Sequence, residues 1–254
     1  MADHSPVWRR WIALEIVIVL GLGLGRSAVS SILSIIERMT RPVPISQQTS
    51  SLNNSVTPDR PWLDLAYQVY NVVFPLFQVL LVCYLLHLAH GMARRLIGFD
   101  LTKIWGDLAR GFAVAAAIGI PGLAFYLLAR EIGINTTVVA ANLSEHWWTA
   151  PALIASAAMN GILEEVVMLG YLLTRLRDLR WNPWAAIVCS ALIRGAYHLY
   201  QGFGGFIGNI VMGIFFGWCY RRFGRVMPLV IAHTLIDIVA FVGYALLAPY
   251  LTWL

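Results

Sequence analysis

The chain has 254 residues, of which 59% are hydrophobic and 12% are charged. Soluble domains carry about 25% charged residues, so this composition excludes an ordinary soluble protein and indicates an integral membrane protein. The net charge of +5 could suggest a nucleic-acid partner, but the basic residues lie in short loops between apolar segments, so we expect none.

Apolar segments follow one another along the whole chain, and a helix needs about 20 mostly apolar residues to cross the hydrocarbon of a bilayer. The pattern predicts an all-α, polytopic bundle of about seven transmembrane helices, forming a single membrane domain over residues 1–254. The first segment is interpreted as a retained span rather than a cleaved signal peptide, because it is long and carries Glu15 and Arg26. The predicted spans are residues 12–36, 63–90, 109–129, 150–174, 184–200, 206–220 and 226–247.

Basic residues occupy alternate loops. They precede the first span and follow the second, fourth and sixth, whereas residues 40–61 form a long loop rich in Ser, Thr, Asn and Pro. The positive-inside rule therefore predicts a cytoplasmic N-terminus, an extracytoplasmic 40–61 loop and an outer C-terminus. Residues 248–254 are predicted to form an interfacial tail, with Tyr250 and Trp253 at the headgroup level.

Ionisable residues inside three of the spans are the candidates for chemistry. Each costs at least ~2.5–3.5 kcal/mol to place in hydrocarbon, so several of them predict a shared functional reason. Counting ~1.5 Å per helical residue from the basic loops puts the acids and histidines in one mid-membrane band. The residues are Glu164 and Glu165 in the fourth span, Arg194 and His198 in the fifth, and His233 and Asp237 in the seventh.

Helical phase refines this set, because residues four apart share a face while neighbours diverge by about 100°. Asn160 therefore shares a face with Glu164, and Glu165 is expected to point away from both. Asn160 in the fourth span and Asn209 in the sixth are weaker candidates for substrate contact or structural support, since a single Asn in a span more often bonds a neighbouring helix.

Three motifs carry a family resemblance. EEVVMLGY (164–171), RGAYH (194–198) and HTLID (233–237) occur in this order inside three spans. The set resembles the motifs of the CPBP family, which includes the endopeptidases of prenylated CAAX proteins and the bacterial ABI proteins. The resemblance covers about residues 150–240, the expected catalytic core, and implies an intramembrane endopeptidase in a bacterial inner or plasma membrane. Its partners would be membrane lipids and a peptide or protein substrate, membrane-associated or lipidated.

The resemblance also implies roles for individual residues. Glu164 and His198 would activate a water for attack on the peptide carbonyl, and His233 and Asp237 would stabilise the oxyanion. An ionised carboxylate cannot donate a hydrogen bond, so Asp237 is either protonated or orients His233. Tyr197, which adjoins His198 towards the outer face, is interpreted as an interface anchor.

Two positions depart from the family pattern. The first motif usually places Arg five residues after its first Glu, where this chain has Leu169, and the second motif usually begins with Phe, where this chain has Arg194. Glu165 therefore lacks its usual partner on the next turn. We predict that Arg194 pairs with Glu165 instead, a hypothesis that a separation above ~6 Å from both carboxylates would disprove.

Other functions stay open from the sequence. Glu164, His198 and His233 could bind a divalent metal such as zinc, although no HExxH motif is present. Mid-membrane acids and histidines also build the relays of proton- or cation-coupled transporters. The loss of Arg at Leu169 also allows a catalytically silent scaffold or immunity protein of the same family.

Overall fold

A computed structural model describes residues 6–248 and residue 250. Within them the chain is mostly helical, which confirms the all-α, polytopic class. The predicted tail beyond residue 248 lies outside the described residues except for Tyr250. The helices are α1 Pro6–Gly21, α2 Leu24–Met39, α3 Pro61–Val73, α4 Leu76–His90, α5 Ala93–Ile97, α6 Ile104–Glu131, α7 Thr149–Glu165, α8 Leu172–Asp178, α9 Pro183–His198, α10 Phe203–Phe223 and α11 Met227–Leu247. The short elements are 3₁₀ turns at Ile45–Gln47 and Leu199–Gln201, a π-helix at Val166–Tyr171, and strands β1 Thr49–Asn54 and β2 Thr137–Asn142.

Five helical stretches of the described chain are long and apolar enough to cross a membrane, or six if the bent pair α1–α2 forms one span. The predicted fifth span is the 16-residue helix α9, which is shorter than the roughly 20 residues of a full crossing. The count of about seven spans therefore stays a prediction. The chain is nevertheless an integral membrane protein by the length and apolarity of its helices.

The first predicted span is broken. Helices α1 and α2 meet at 57°, and the Gln78 side chain of α4 enters the break, where its Nε2 donates to the Val19 carbonyl at 2.8 Å. A Cβ added at Gly23 would collide with this Gln78 amide, so a larger residue there would displace the amide from the break. The sequence LGLGLG thus forms a polar break within the span instead of a continuous helix.

A small sheet joins two loops at one end of the bundle. Strand β1, from the predicted 40–61 loop, pairs in parallel with β2, with Thr49 opposite Thr137. Neither strand was predicted, because both are six residues long and polar in part, and parallel partners lie far apart in sequence. The 3₁₀ turn after α9 joins this end, where the Ser50 hydroxyl donates to the Tyr200 carbonyl at 3.1 Å.

The opposite end is held by an ion-pair cluster. Arg225, between α10 and α11, bonds Asp107 at 2.8 Å and Asp100 at 3.0 Å. The Arg225 guanidinium holds the pKa of the Asp100 carboxyl well below its ordinary value. Alternate loops thus meet at the same end, as the positive-inside pattern requires, while the cytoplasmic identity of this end stays a prediction.

Glycines bring the central helices close together. A Cβ added at Gly161 of α7 would lie 2.6 Å from Thr234 Oγ1 and 2.9 Å from the Val230 carbonyl of α11. At Gly213 of α10 it would lie 2.9 Å from Ala191 Cα in α9. Helices α7, α9, α10 and α11 therefore surround one centre, where the sequence placed its ionisable residues.

Candidate active site

The acidic pair lies where α7 changes into a π-helix. Glu164 and Glu165 end the α-helical hydrogen-bond pattern, and the next six residues are π-helical. A π-turn widens the helix and recurs at functional sites. Side chains support the widened turn, since Ser190 donates to the Met168 carbonyl at 3.1 Å and Thr174 donates to the Gly170 carbonyl at 2.6 Å.

Glu165 is the buried centre of the cluster, with its side chain 0% exposed. Its Oε1 accepts from Arg194 Nη2 at 2.7 Å and lies 2.7 Å from His233 Nδ1. The first distance confirms the predicted ion pair between Arg194 and Glu165. The second is a contact that the sequence did not predict: His233 of α11 approaches the same carboxylate as Arg194 of α9.

Arg194 is held from three directions. Its Nη2 bonds Glu165, its Cζ lies 5.7 Å from the centre of the Phe216 ring, and a Cβ at Gly213 would lie 3.3 Å from its Cδ. The planar guanidinium is therefore fixed, and its Nη1 faces Glu164 Oε2 at 3.5 Å. One cation thus lies beside both carboxylates, which lowers the cost of burying them together.

Glu164 and His198 lie close together in the cluster. Their side chains are 11% and 19% exposed, which is similar to the 16% of Asp237 and above the 0% of Glu165. His198 Nε2 lies 3.9 Å from Glu164 Oε2 and has no hydrogen-bond partner among the described residues. The Tyr197 hydroxyl donates to the same Glu164 oxygen at 2.6 Å. An oxygen atom can lie at hydrogen-bond distance, about 2.8 Å, from both Glu164 Oε2 and His198 Nε2.

The third motif completes the cluster. His233 Nε2 lies 3.7 Å from Asp237 Oδ1, one turn further along α11. The Asn160 amide donates to Asp237 Oδ2 at 2.9 Å. Asp237 thus acts as an acceptor towards Asn160, which favours orientation of His233 over donation to an oxyanion. Helical phase placed Asn160 on the same face as Glu164. Asn160 does contact the cluster, but its bond is to Asp237.

Asn209 does not join these contacts. Its amide donates to the Gly205 carbonyl of its own helix at 2.9 Å, and no other side-chain bond of Asn209 falls within residues 6–248. This contact satisfies an amide inside a transmembrane helix without reaching the acids. The candidate role of Asn209 in substrate contact or support therefore rests on sequence alone.

Sequence reasoning missed the part played by Tyr197. We interpreted it as an interface anchor, yet its side chain is buried and bonds Glu164. The available signal was its position three residues after Arg194 on α9, one helical turn along the same side. A second network was also missed: Glu15 of α1 binds Arg175 at 2.8 Å and accepts from the Tyr171 hydroxyl at 2.8 Å, which ties the first helix to the π-helix.

Three side chains offer ligand atoms that a metal could use. One atom each from Glu164, Glu165 and His233 lies within 4.8 Å of the other two. This set differs from the predicted one, because Glu165 takes the place of His198. Both carboxylates lie beside the Arg194 guanidinium, and the oxygen of Glu165 already accepts from Arg194 and contacts His233. Some of the atoms that would bind a metal therefore already contact Arg194 or another side chain of the cluster.

Residues 146–239 match one family model, described as type II CAAX prenyl endopeptidase Rce1-like. The match confirms the CPBP resemblance predicted from the three motifs, and it covers all six ionisable residues of the cluster. Neither a curated protein nor a solved structure matches the chain.

Proposed function

We propose that this chain, whose residues 146–239 belong to the Rce1-like family of CAAX proteases, is an intramembrane endopeptidase in which Glu164 and His198 activate the attacking water. One observation carries the assignment of this pair: Glu164 Oε2 and His198 Nε2 lie 3.9 Å apart, and this ring nitrogen has no hydrogen-bond partner among the described residues. A water held between them would contact both the base and a ring nitrogen.

The chemistry follows from the donors and acceptors. Gln201 Nε2, a donor, lies 3.4 Å from His198 Nδ1, which favours the tautomer with the proton on Nε2. Glu164 takes one proton from the water as the water oxygen bonds to the carbonyl carbon. The carbonyl π electrons move to the carbonyl oxygen. Collapse of this tetrahedral species breaks the C–N bond, and Glu164 returns the proton to the leaving nitrogen. The products are a carboxylic acid and an amine.

Glu165, His233 and Asp237 support this step in our proposal. Glu165 and Asp237 flank the two ring nitrogens of His233, at 2.7 Å and 3.7 Å. The ring is thereby oriented, and the proton on Nδ1 is fixed by an acceptor that cannot donate. In this proposal His233 carries a proton on each ring nitrogen, so its Nε2–H can donate to the carbonyl oxygen as negative charge develops there.

We further propose that the reaction needs no metal. Arg194 already lies within 3.5 Å of both carboxylates, and a dication bound between them would be repelled by this guanidinium. Zinc sites that act on peptides usually combine three protein ligands with an open position. Here the nearest histidine, His233, is already within 2.7 Å of a carboxylate.

The proposed substrate is a peptide or a lipidated protein presented from the membrane, because the cluster lies in membrane-spanning helices. The family description names prenyl endopeptidases, so a farnesylated peptide and its unmodified counterpart form a natural pair of probes. The proposed location is a bacterial inner or plasma membrane.

Cleavage by purified protein in detergent tests this function. We expect the wild type to cleave at least one member of a panel of farnesylated and unmodified peptides, and Glu164→Ala and His198→Ala to lose activity by at least about 100-fold. Glu37→Ala, which removes an exposed carboxylate of α2 that pairs with Arg41, serves as the matched control. Proton or cation flux in liposomes that depends on Glu164 would contradict the proposal, as would full biological function with both residues replaced.

A further inference from the structure

A polar groove lies beside the cluster, between α2 and the outer end of α9. Its volume is about 510 Å³, and its polar lining includes Arg26, Ser27, Ser30 and Ser34 from α2 and Tyr197 from α9. The α2 residues precede the segment that matches the family, so the groove combines a part of the chain outside that segment with a part inside it.

The spacing of the serines explains why they face one side. Ser27, Ser30 and Ser34 are three and four residues apart, so their hydroxyls lie along one helix face. Ser31, on the same side, ties α2 to the 3₁₀ turn that follows α9, because its hydroxyl accepts from the Tyr200 backbone N–H at 2.6 Å. The groove is therefore formed by the packing of α2 against the outer end of α9.

Four polar groups of the groove make no hydrogen bonds with one another or with the rest of the described chain. Among the described residues, the Arg26 guanidinium and the hydroxyls of Ser27, Ser30 and Ser34 make no hydrogen bond or ion pair. Arg26 lies 13 residues before the outer end of α2, and Glu164 lies 15 residues after the outer start of α7, or about 20 and 22 Å along the helices. A guanidinium at this depth is costly unless a polar or anionic group accompanies it.

One side chain, Tyr197, contacts both the groove and the proposed base Glu164. Tyr197 contributes to the groove wall, and its hydroxyl donates to Glu164 Oε2 at 2.6 Å. A molecule in the groove would therefore contact the ring that holds Glu164. Hydroxyls that both donate and accept suit the N–H and C=O groups of an extended backbone, and the unpaired guanidinium suits a carboxylate.

We propose that this groove binds the extended peptide next to the scissile bond and that Arg26 binds a carboxylate of that peptide. The proposal rests on the proposed peptidase function and names the chemistry of its substrate. The carboxylate can belong to an Asp or Glu side chain or to the peptide C-terminus. A lipid phosphate fits less well, because phosphates lie at the headgroup level, and Arg26 lies about 20 Å along α2 from its outer end.

Binding is measured on the full-length Glu164→Gln protein in detergent, by fluorescence anisotropy of a labelled peptide from the cleavage panel. Three peptides share one sequence: one with Glu near the cleavage point, one with Gln there, and one with Gln and an amidated C-terminus. Adding Arg26→Gln is expected to weaken binding of the carboxylate-bearing peptide by at least about tenfold, because a hydrogen bond to a charged group is lost. Arg26→Lys should keep most of the affinity, and Arg10→Gln, at an exposed arginine far from the groove, is the control.

The three peptides distinguish the two carboxylate sources, since loss of the Arg26 effect with Gln assigns a side chain and loss only after amidation assigns the C-terminus. Equal affinity of all three peptides, or an Arg26→Gln effect that an anionic phospholipid abolishes by competition, would overturn the proposal. Photo-crosslinking from p-benzoylphenylalanine in place of Ser30 gives a second readout that leaves Arg26 intact. Absence of a peptide adduct there would also overturn the proposal.

Failure of the two proposals is distinguishable. Peptide binding that depends on Arg26, without cleavage by the protein that retains Glu164, would overturn the peptidase function and leave the groove assignment standing. Cleavage that depends on Glu164, with no dependence of affinity on Arg26, would overturn the groove assignment alone.

Discussion

The same Glu→Gln substitution should mainly lower stability at position 165 and mainly abolish cleavage at position 164. Glu165→Gln removes the charge of a side chain that is 0% exposed and lies 2.7 Å from both Arg194 Nη2 and His233 Nδ1. Glu164→Gln removes the charge of a side chain that is 11% exposed and lies 3.5 Å from Arg194 Nη1. The two variants differ in burial and contacts while the chemistry of the change is identical.

Removing one partner of a buried ion pair leaves the other charge uncompensated, which costs about 3–5 kcal/mol. We therefore expect Glu165→Gln to lower the free energy of unfolding by that amount. A glutamine at position 164 still offers an oxygen to the Tyr197 hydroxyl, so Glu164→Gln should cost less than about 1.5 kcal/mol, although it abolishes cleavage.

The free energy of unfolding of each variant is measured in mixed micelles by denaturant titration, and activity is measured on the cleavage panel. Equal stability losses at positions 164 and 165 would refute the division into a supporting carboxylate at 165 and a base at 164. A Glu164→Gln protein that still cleaves the peptides would refute the assignment of Glu164 as the base.

Three further predictions follow from other parts of the structure. Arg225 holds the Asp100 pKa below its ordinary value, so this contact stabilises the fold at neutral pH and is lost as the pH falls below about 4 towards the folded-state pKa; Asp100→Asn should flatten the dependence of the melting temperature on pH in that range. Incubation with EDTA or 1,10-phenanthroline, followed by metal analysis, should leave the cleavage rate unchanged, and loss of activity that zinc restores would contradict the metal-free mechanism. Gly161→Ala should lower the free energy of unfolding by about 1–3 kcal/mol because its Cβ would meet Thr234 Oγ1 at 2.6 Å, whereas Gly243→Ala, which meets nothing within 4 Å, should be neutral within about 0.5 kcal/mol.

The sequence predicted the membrane class and most of the cluster. Charges inside apolar spans are rare enough to identify Glu164, His198 and His233 as site candidates without any alignment. Leu169 stands where the family usually has arginine, and this departure led to the correct partner for Glu165. A buried carboxylate requires a cation, and Arg194 was the arginine at a similar depth that had no assigned partner.

Packing between helices could not be predicted in the same way. Helical phase describes directions about one axis, so it did not predict the 2.7 Å contact between Glu165 and His233, which the close approach of α7 and α11 at Gly161 allows. The π-helix at Val166–Tyr171 has no strong local signal in EEVVMLGY, and the β1–β2 pair depends on a contact between residues about 90 positions apart. The 57° break in the first span depends on Gln78 of another helix.

Peptide hydrolysis by a Glu164-bound water is tested most directly by mass spectrometry of products formed in H₂¹⁸O. Wild-type protein should give a new C-terminal carboxylate carrying ¹⁸O and an unlabelled amine product, and folded Glu164→Gln should give neither. A folded wild-type protein that cleaves no member of the peptide panel, or a Glu164→Gln protein that still forms the labelled carboxylate, would contradict the account.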